Sequence, residues 1–99
     1  MKEWNEKKLL INDKGLMLLY LYTPMCGTCQ LAKKMLTVVD ELISTTIYQV
    51  NLNYFPEDAK ALGIESVPCM LVYQDGILKE KVYAFQSVAH LYELVKAYH

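Results

Sequence analysis

Two thiols separated by two residues, Cys26 and Cys29, are the side chains of this chain best suited to covalent chemistry. They stand at a junction. The apolar run Leu16 to Tyr22 stops at Thr23-Pro24, and a helical repeat of apolar residues begins near Gly27. A helix start presents unpaired N–H groups and the positive end of the helix dipole, and both favour a thiolate over a thiol. Cys26 is therefore expected to have a lowered pKa and to be nucleophilic near neutral pH. Cys29 lies one helical turn on, within reach of a disulfide with Cys26. Gly27 and Thr28 permit the tight entry into the helix. The same spacing could be half of a structural zinc site, which needs two more ligands. Only Cys69, His90 and His99 remain to supply them, and they form no second close pair. A redox dithiol is the reading for which the strand-then-helix context supplies a mechanism.

A second feature follows forty residues later. Ser66-Val67-Pro68 immediately precedes a β-rich segment. A proline at the first residue of a strand is ordinary by itself. In this order after a Cys-x-x-Cys pair it suggests a cis Val67-Pro68 bond facing the dithiol. Cys69 comes next, and two roles are open to it. It is either a third thiol beside the site or a small buried strand residue, the commoner fate of free cysteine. His90 and His99 read as surface residues of a terminal helix. Met17, Met35 and Met70 read as core filling.

The elements that must position these groups are punctuated by glycine and proline. Lys2 to Ile11 reads as a helix, with Trp4, Leu10 and Ile11 as a partial stripe. Asn12-Asp13-Lys14-Gly15 breaks it. Leu16–Tyr22 is continuously apolar, as in a central strand covered on both faces. From about Gly27 to Ser44, Leu31, Met35, Val38 and Leu42 repeat at helical spacing, and Ala32, Leu36, Val39 and Ile43 widen the face. Thr45–Leu52 alternates as a second strand. Pro56 can open a short helix and Gly63 can close it. Met70–Tyr73 and Ile77–Tyr83 read as strands joined by an Asp75-Gly76 hairpin turn. Ser87 is a suitable N-cap for a last amphipathic helix through Val88, Leu91, Leu94, Val95 and Tyr98. The expected architecture is α/β: one domain over residues 1–99, with a mixed four-stranded sheet and helices on both faces.

Composition narrows the function. Ninety-nine residues leave no room for a second core. The chain is 54% hydrophobic and 21% charged, which excludes a disordered tail. Net charge is −1, and all ten basic residues are lysine. A nucleic-acid module with a basic face and arginine forks is excluded on that ground, as is a polybasic membrane patch. Three cysteines in a short chain do not make a stapled secreted scaffold. Met1 to Lys8 lack an apolar leader segment, and the seven-residue run at Leu16 falls short of the roughly 18 needed to span a bilayer. A cytoplasmic monomer without membrane attachment is expected.

Taken together, Thr23-Pro24-Met25-Cys26-Gly27-Thr28-Cys29, Asn51-Leu52-Asn53, Gly63-Ile64-Glu65-Ser66-Val67-Pro68 and Tyr73-Gln74-Asp75-Gly76 resemble the landmarks of the thioredoxin family. The resemblance runs from about Gly15 to the C-terminus and implies a thioredoxin fold without its first edge strand. It implies a thiol–disulfide oxidoreductase in which Cys26 attacks a protein disulfide and Cys29 resolves the mixed disulfide. Met25, Val67, Pro68 and Tyr83 would line the substrate groove. It further implies recycling by a flavin- and NADPH-dependent thioredoxin reductase or another thiol reductant, with no cofactor bound to the chain itself. The chain departs from the family pattern at several places. Met25 stands where the family has tryptophan, and Thr28 where it commonly has proline. Tyr20 and Gln49 replace a buried aspartate and its neighbouring lysine, and Tyr83 replaces a loop glycine. These departures leave open a redox-weak binding module that uses the proline-loop groove, and a metal carrier built on Cys26, Cys29 and Cys69.

Overall fold

The computed structural model describes residues 1–98, and His99 lies outside the described residues. Five strands form one sheet: β1 (Lys2–Glu3), β2 (Leu16–Tyr22), β3 (Ile47–Asn51), β4 (Cys69–Gln74) and β5 (Ile77–Val82). Their order across the sheet is β1-β3-β2-β4-β5. β3 runs parallel to both β1 and β2. β4 is antiparallel to β2, and β5 to β4. Among the described residues three helices, α1 (Gly27–Leu42), α2 (Pro56–Ala61) and α3 (Val88–Lys96), accompany the sheet, with a 3-10 turn at Leu52–Tyr54.

β2 is the central element. Leu18 to Leu21 are buried without a break because opposite faces of the strand meet different layers. Leu18 and Tyr20, with Met70 and Val72 of β4, face Ala32, Leu36 and Val39 of α1 and Leu91 and Val95 of α3. Leu19 and Leu21, with Cys69, Leu71 and Tyr73 of β4, face Leu9, Ile11 and Phe55, against which Leu62 and Ile64 pack after α2.

Two expectations about the N-terminal part are corrected. Residues 2–11 form no helix, and the sheet has five strands rather than four, with the first edge strand present. Lys2 and Glu3 pair with Tyr48 and Gln49, and the Trp4 N–H donates to the Gln49 carbonyl at 2.9 Å. The following residues form no regular element and bend at Lys7-Lys8. Leu9 and Ile11 are buried while Leu10 between them is 63% exposed, a period of two rather than 3.6. Glu3 accepts from Gln49 Nε2 at 2.9 Å and from the Tyr22 hydroxyl at 3.2 Å, which ties this short strand across β3 to β2.

α1 is rotated from its expected orientation. Its buried residues are Cys29, Ala32, Leu36 and Val39, whereas Leu31 (57%), Val38 and Leu42 of the expected central stripe are exposed. Apolar side chains make up half of this helix and fall on two adjacent stripes, which periodicity alone leaves equivalent. Docking on the sheet selects the stripe of Ala32, Leu36 and Val39.

The remaining elements start and stop where their residues dictate. Pro56 occupies the first turn of α2, where its missing N–H costs nothing. Asp75 and Gly76 turn between β4 and β5 with φ of 53° and 80°, the pair of positive values that a tight hairpin of this hand requires. The Asp75 carboxylate also accepts from the Gly15 N–H at 2.8 Å, joining the hairpin to the entrance of β2. Ser87 caps α3 by accepting from the His90 N–H at 3.1 Å. Thr45–Leu52 is strand only over Ile47–Asn51; at its end the Asn51 side chain accepts from the Asn53 N–H and turns the chain into the 3-10 segment. No helix among the described residues is long and apolar enough to cross a membrane.

Candidate active site

The dithiol sits just beyond the C-terminal end of β2, at the first turn of α1. Cys26 is the N-cap residue, with extended backbone angles (φ −91°, ψ 109°). Its sulfur takes the place that a serine or aspartate oxygen fills at most helix starts. The Cys29 N–H donates to Cys26 Sγ at 3.1 Å, and the Thr28 hydroxyl lies 3.4 Å from the same sulfur. No acidic side chain occupies the first turn of α1. The sulfur therefore stands among donors at the positive end of a sixteen-residue helix, an arrangement that favours negative charge on it.

Cys26 and Cys29 are joined as a disulfide with Cα atoms 5.2 Å apart. The two sulfurs differ in access. Cys26 is half-buried, whereas Cys29 is 3% exposed among Tyr20, Ala32 and Phe85. Met25, next to the accessible sulfur, is 94% exposed. The Val67-Pro68 peptide bond is cis, and the Val67 carbonyl oxygen lies 3.8 Å from Cys26 Sγ. The loop before β4 and the start of α1 are thus brought together across 41 residues of sequence. Leu21 pairs with Cys69 across β2 and β4, and this register puts the two loops side by side.

Cys69 does not share that place. It is fully buried in the layer with Leu19, Leu21, Leu71 and Phe55, across the sheet from the dithiol. Strand alternation accounts for this: Pro68 ends the loop, and the next side chain points to the opposite face. Burial pushes the Cys69 thiol up to about 11, against smaller opposing effects of the Tyr83 hydroxyl and Lys81. Brief iodoacetamide treatment of the reduced native protein is expected to label Cys26 and spare Cys69 until denaturant is added, as peptide mass mapping would read. Tyr83 belongs to the same far layer. It is half-buried, and its hydroxyl accepts from the Glu65 N–H at 3.2 Å, so it meets the proline loop from below. Among the described residues no three His, Cys, Asp or Glu side chains converge as a metal site.

Tyr20, placed by the resemblance where the family has a buried aspartate, makes a contact with the site that the sequence did not foretell. The Tyr20 ring is buried on β2 beneath the dithiol, and its hydroxyl donates to the Cys29 carbonyl oxygen. Its place on the strand was readable, but its bond to the helix was not, since that depends on the spacing between sheet and α1. Tyr20 stacks on Tyr22 and meets Phe85 edge-on.

The sequence model of the family described as Thioredoxin matches residues 1–97. The chain belongs to the thioredoxin family. Thioredoxin-like protein YusE of Bacillus subtilis (strain 168) is 56% identical over 97% of this chain and 92% of that protein. The thioredoxin of the same bacterium is 28% identical over 84% of this chain and 82% of its own length. Among solved structures, a mutant thioredoxin from Halobacterium salinarum NRC-1 superimposes with a TM-score of 0.79 at 24% identity, over 88% of this chain and 77% of that one. The thioredoxin fold expected from the motifs is therefore the fold observed. Members of this family are generally oxidoreductases, and the Cys26–Cys29 pair is spaced for a disulfide as that chemistry requires.

Proposed function

We propose that the protein reduces disulfides of other proteins by dithiol exchange, with Cys26 as nucleophile and Cys29 as resolving thiol. The observation that carries this reading is the asymmetry of the pair: a half-buried Cys26 sulfur that receives the Cys29 N–H, and a Cys29 sulfur shielded beneath it. In the reduced protein the Cys26 thiolate attacks one sulfur of a substrate disulfide. That bond breaks, and the released substrate thiolate takes a proton from water. Cys29 then displaces the second substrate thiol and leaves the protein oxidised. An extended substrate segment would lie along Met25 and the Val67-Pro68 loop, above Gly27 and Thr28 at the helix start. Tyr83 supports that loop through Glu65.

The oxidised pair needs an external thiol reductant supplying two electrons to return it. A flavin- and NADPH-dependent thioredoxin reductase in the cytoplasm, or a small thiol, fits this need. The reduction of insulin by dithiothreitol tests the function. Precipitation of the insulin B chain accelerated by catalytic amounts of the protein supports it. A rate no greater than with dithiothreitol alone would instead leave a module that binds through the groove and performs little redox chemistry.

The couple is expected to be more oxidising than that of a common thioredoxin. A Thr28 hydroxyl 3.4 Å from Cys26 Sγ can donate to the thiolate and so stabilise the reduced form. Equilibration with glutathione is expected to give a potential above about −270 mV, and a value at or below it would contradict the role given to Thr28.

A further inference from the structure

The resolving step requires the Cys29 thiol to lose a proton in a buried setting. The groups available to receive it can be counted. Among the described residues no Asp, Glu, His or Lys is buried in the core. The titratable members of the apolar cluster around Cys29 are Tyr20 and Tyr22 from β2, Cys26 from its own helix start, and Tyr98 beyond α3. Tyr22 is engaged with Glu3, and Tyr98 with Glu80. The Met1 amino group pairs with Asp40 at the far end of α1. Apart from Cys26, its partner in the exchange, Tyr20 is the one of these groups hydrogen-bonded to Cys29, and its hydroxyl proton is committed to the Cys29 carbonyl. Burial pushes that phenol up to about 12, with Tyr22 adding to the shift. It stays protonated throughout the neutral range and has no charge with which to draw a proton.

We infer that Tyr20 is a positioning residue for the resolving cysteine, holding the first turn of α1 through the Cys29 carbonyl, and that the Cys29 proton leaves to solvent rather than to a protein group. This rests on the dithiol-exchange reading above. The step balances without a further reactant. Cys29 gives its proton to water or hydroxide, and the thiolate attacks Cys26 Sγ. The Cys26–Cys29 bond forms as the bond from Cys26 to the substrate sulfur breaks, and the substrate leaves as a thiolate that is protonated by water.

The reaction of the reduced full chain with 5,5′-dithiobis(2-nitrobenzoate) separates the two steps. One equivalent of coloured thiolate is released when Cys26 attacks, and a second when Cys29 resolves. In stopped-flow traces the wild-type second phase is expected to rise about tenfold per pH unit between about pH 6 and 8, because only the thiolate attacks and its fraction grows with hydroxide. Tyr20→Phe keeps the ring and its stacking but removes the donor. Its second phase is expected to keep the same slope and to fall about fivefold relative to its first phase, as loss of about one hydrogen bond's worth of alignment implies. A wild-type second phase that is flat across this range would overturn the solvent route. So would a Tyr20→Phe slope different from wild type. An unchanged ratio of phases in Tyr20→Phe would overturn the positioning role. Absence of a first phase in the wild type would sink the dithiol-exchange reading itself, a separate outcome. The wild-type pH profile decides the solvent route even if the variant folds poorly.

Discussion

Replacing Cys26 by serine is expected to abolish insulin reduction, with a loss of more than about a thousandfold. A serine hydroxyl is not ionised near neutral pH and cannot enter thiol–disulfide exchange. Replacing Cys29 by serine has a different result. Cys26 remains at the helix N-terminus, where its sulfur still sits among backbone donors, and it still attacks. The mixed disulfide then has no internal thiol to resolve it. Cys29→Ser is therefore expected to accumulate covalent adducts with protein disulfides, seen as bands on non-reducing gels that disappear with dithiothreitol. The two substitutions separate the roles because Cys29 is 3% exposed whereas Cys26 is accessible. If Cys26→Ser trapped partners and Cys29→Ser did not, the assignment of nucleophile and resolver would be reversed.

Leu36→Ala is expected to destabilise the fold by about 2–5 kcal/mol, the range for emptying a fully buried leucine site. Domains of this kind have roughly 5–15 kcal/mol in total, so the urea midpoint would fall substantially. Leu31→Ala, one and a half turns earlier on the same helix, is expected to change stability by less than about 0.5 kcal/mol, because its side chain already faces water. Urea unfolding of the two variants side by side reads the rotation of α1 about its axis. Equal losses would mean that both stripes are packed and that the helix sits differently on the sheet.

That contrast marks a boundary of what could be read from residue order. The Cys26–Cys29 pair, the Val67-Pro68 loop and the Asp75-Gly76 turn are local signals, each carried by a few adjacent residues, and the structure reproduces their elements. β2 was legible because an unbroken apolar run needs cover on both sides. The first eleven residues were not. Trp4, Leu10 and Ile11 suit a sparse helical stripe on paper, but the edge of β3 offers Lys2, Glu3 and Trp4 a ladder to complete, and tertiary pairing outweighs weak local preference. α1 carries apolar residues on two adjacent stripes, and only the docked helix distinguishes Leu36 from Leu31. The side on which Cys69 lies turned on a single step of strand parity after Pro68. The bond from Tyr20 to Cys29 joins a strand to a helix, and residue order holds no record of that distance.

The central place of β2 has a consequence for how the molecule opens. It is paired on both sides, by β3 and β4, as β4 is by β2 and β5, while β1 is held by two residues. The amides of Leu18 to Leu21 are expected to exchange with deuterium only when the whole domain unfolds, whereas those of β1 exchange by local fraying. The dithiol is mounted at the end of this central strand. Fraying of the β1 margin is therefore expected to leave the spacing between Cys26 and the proline loop unchanged.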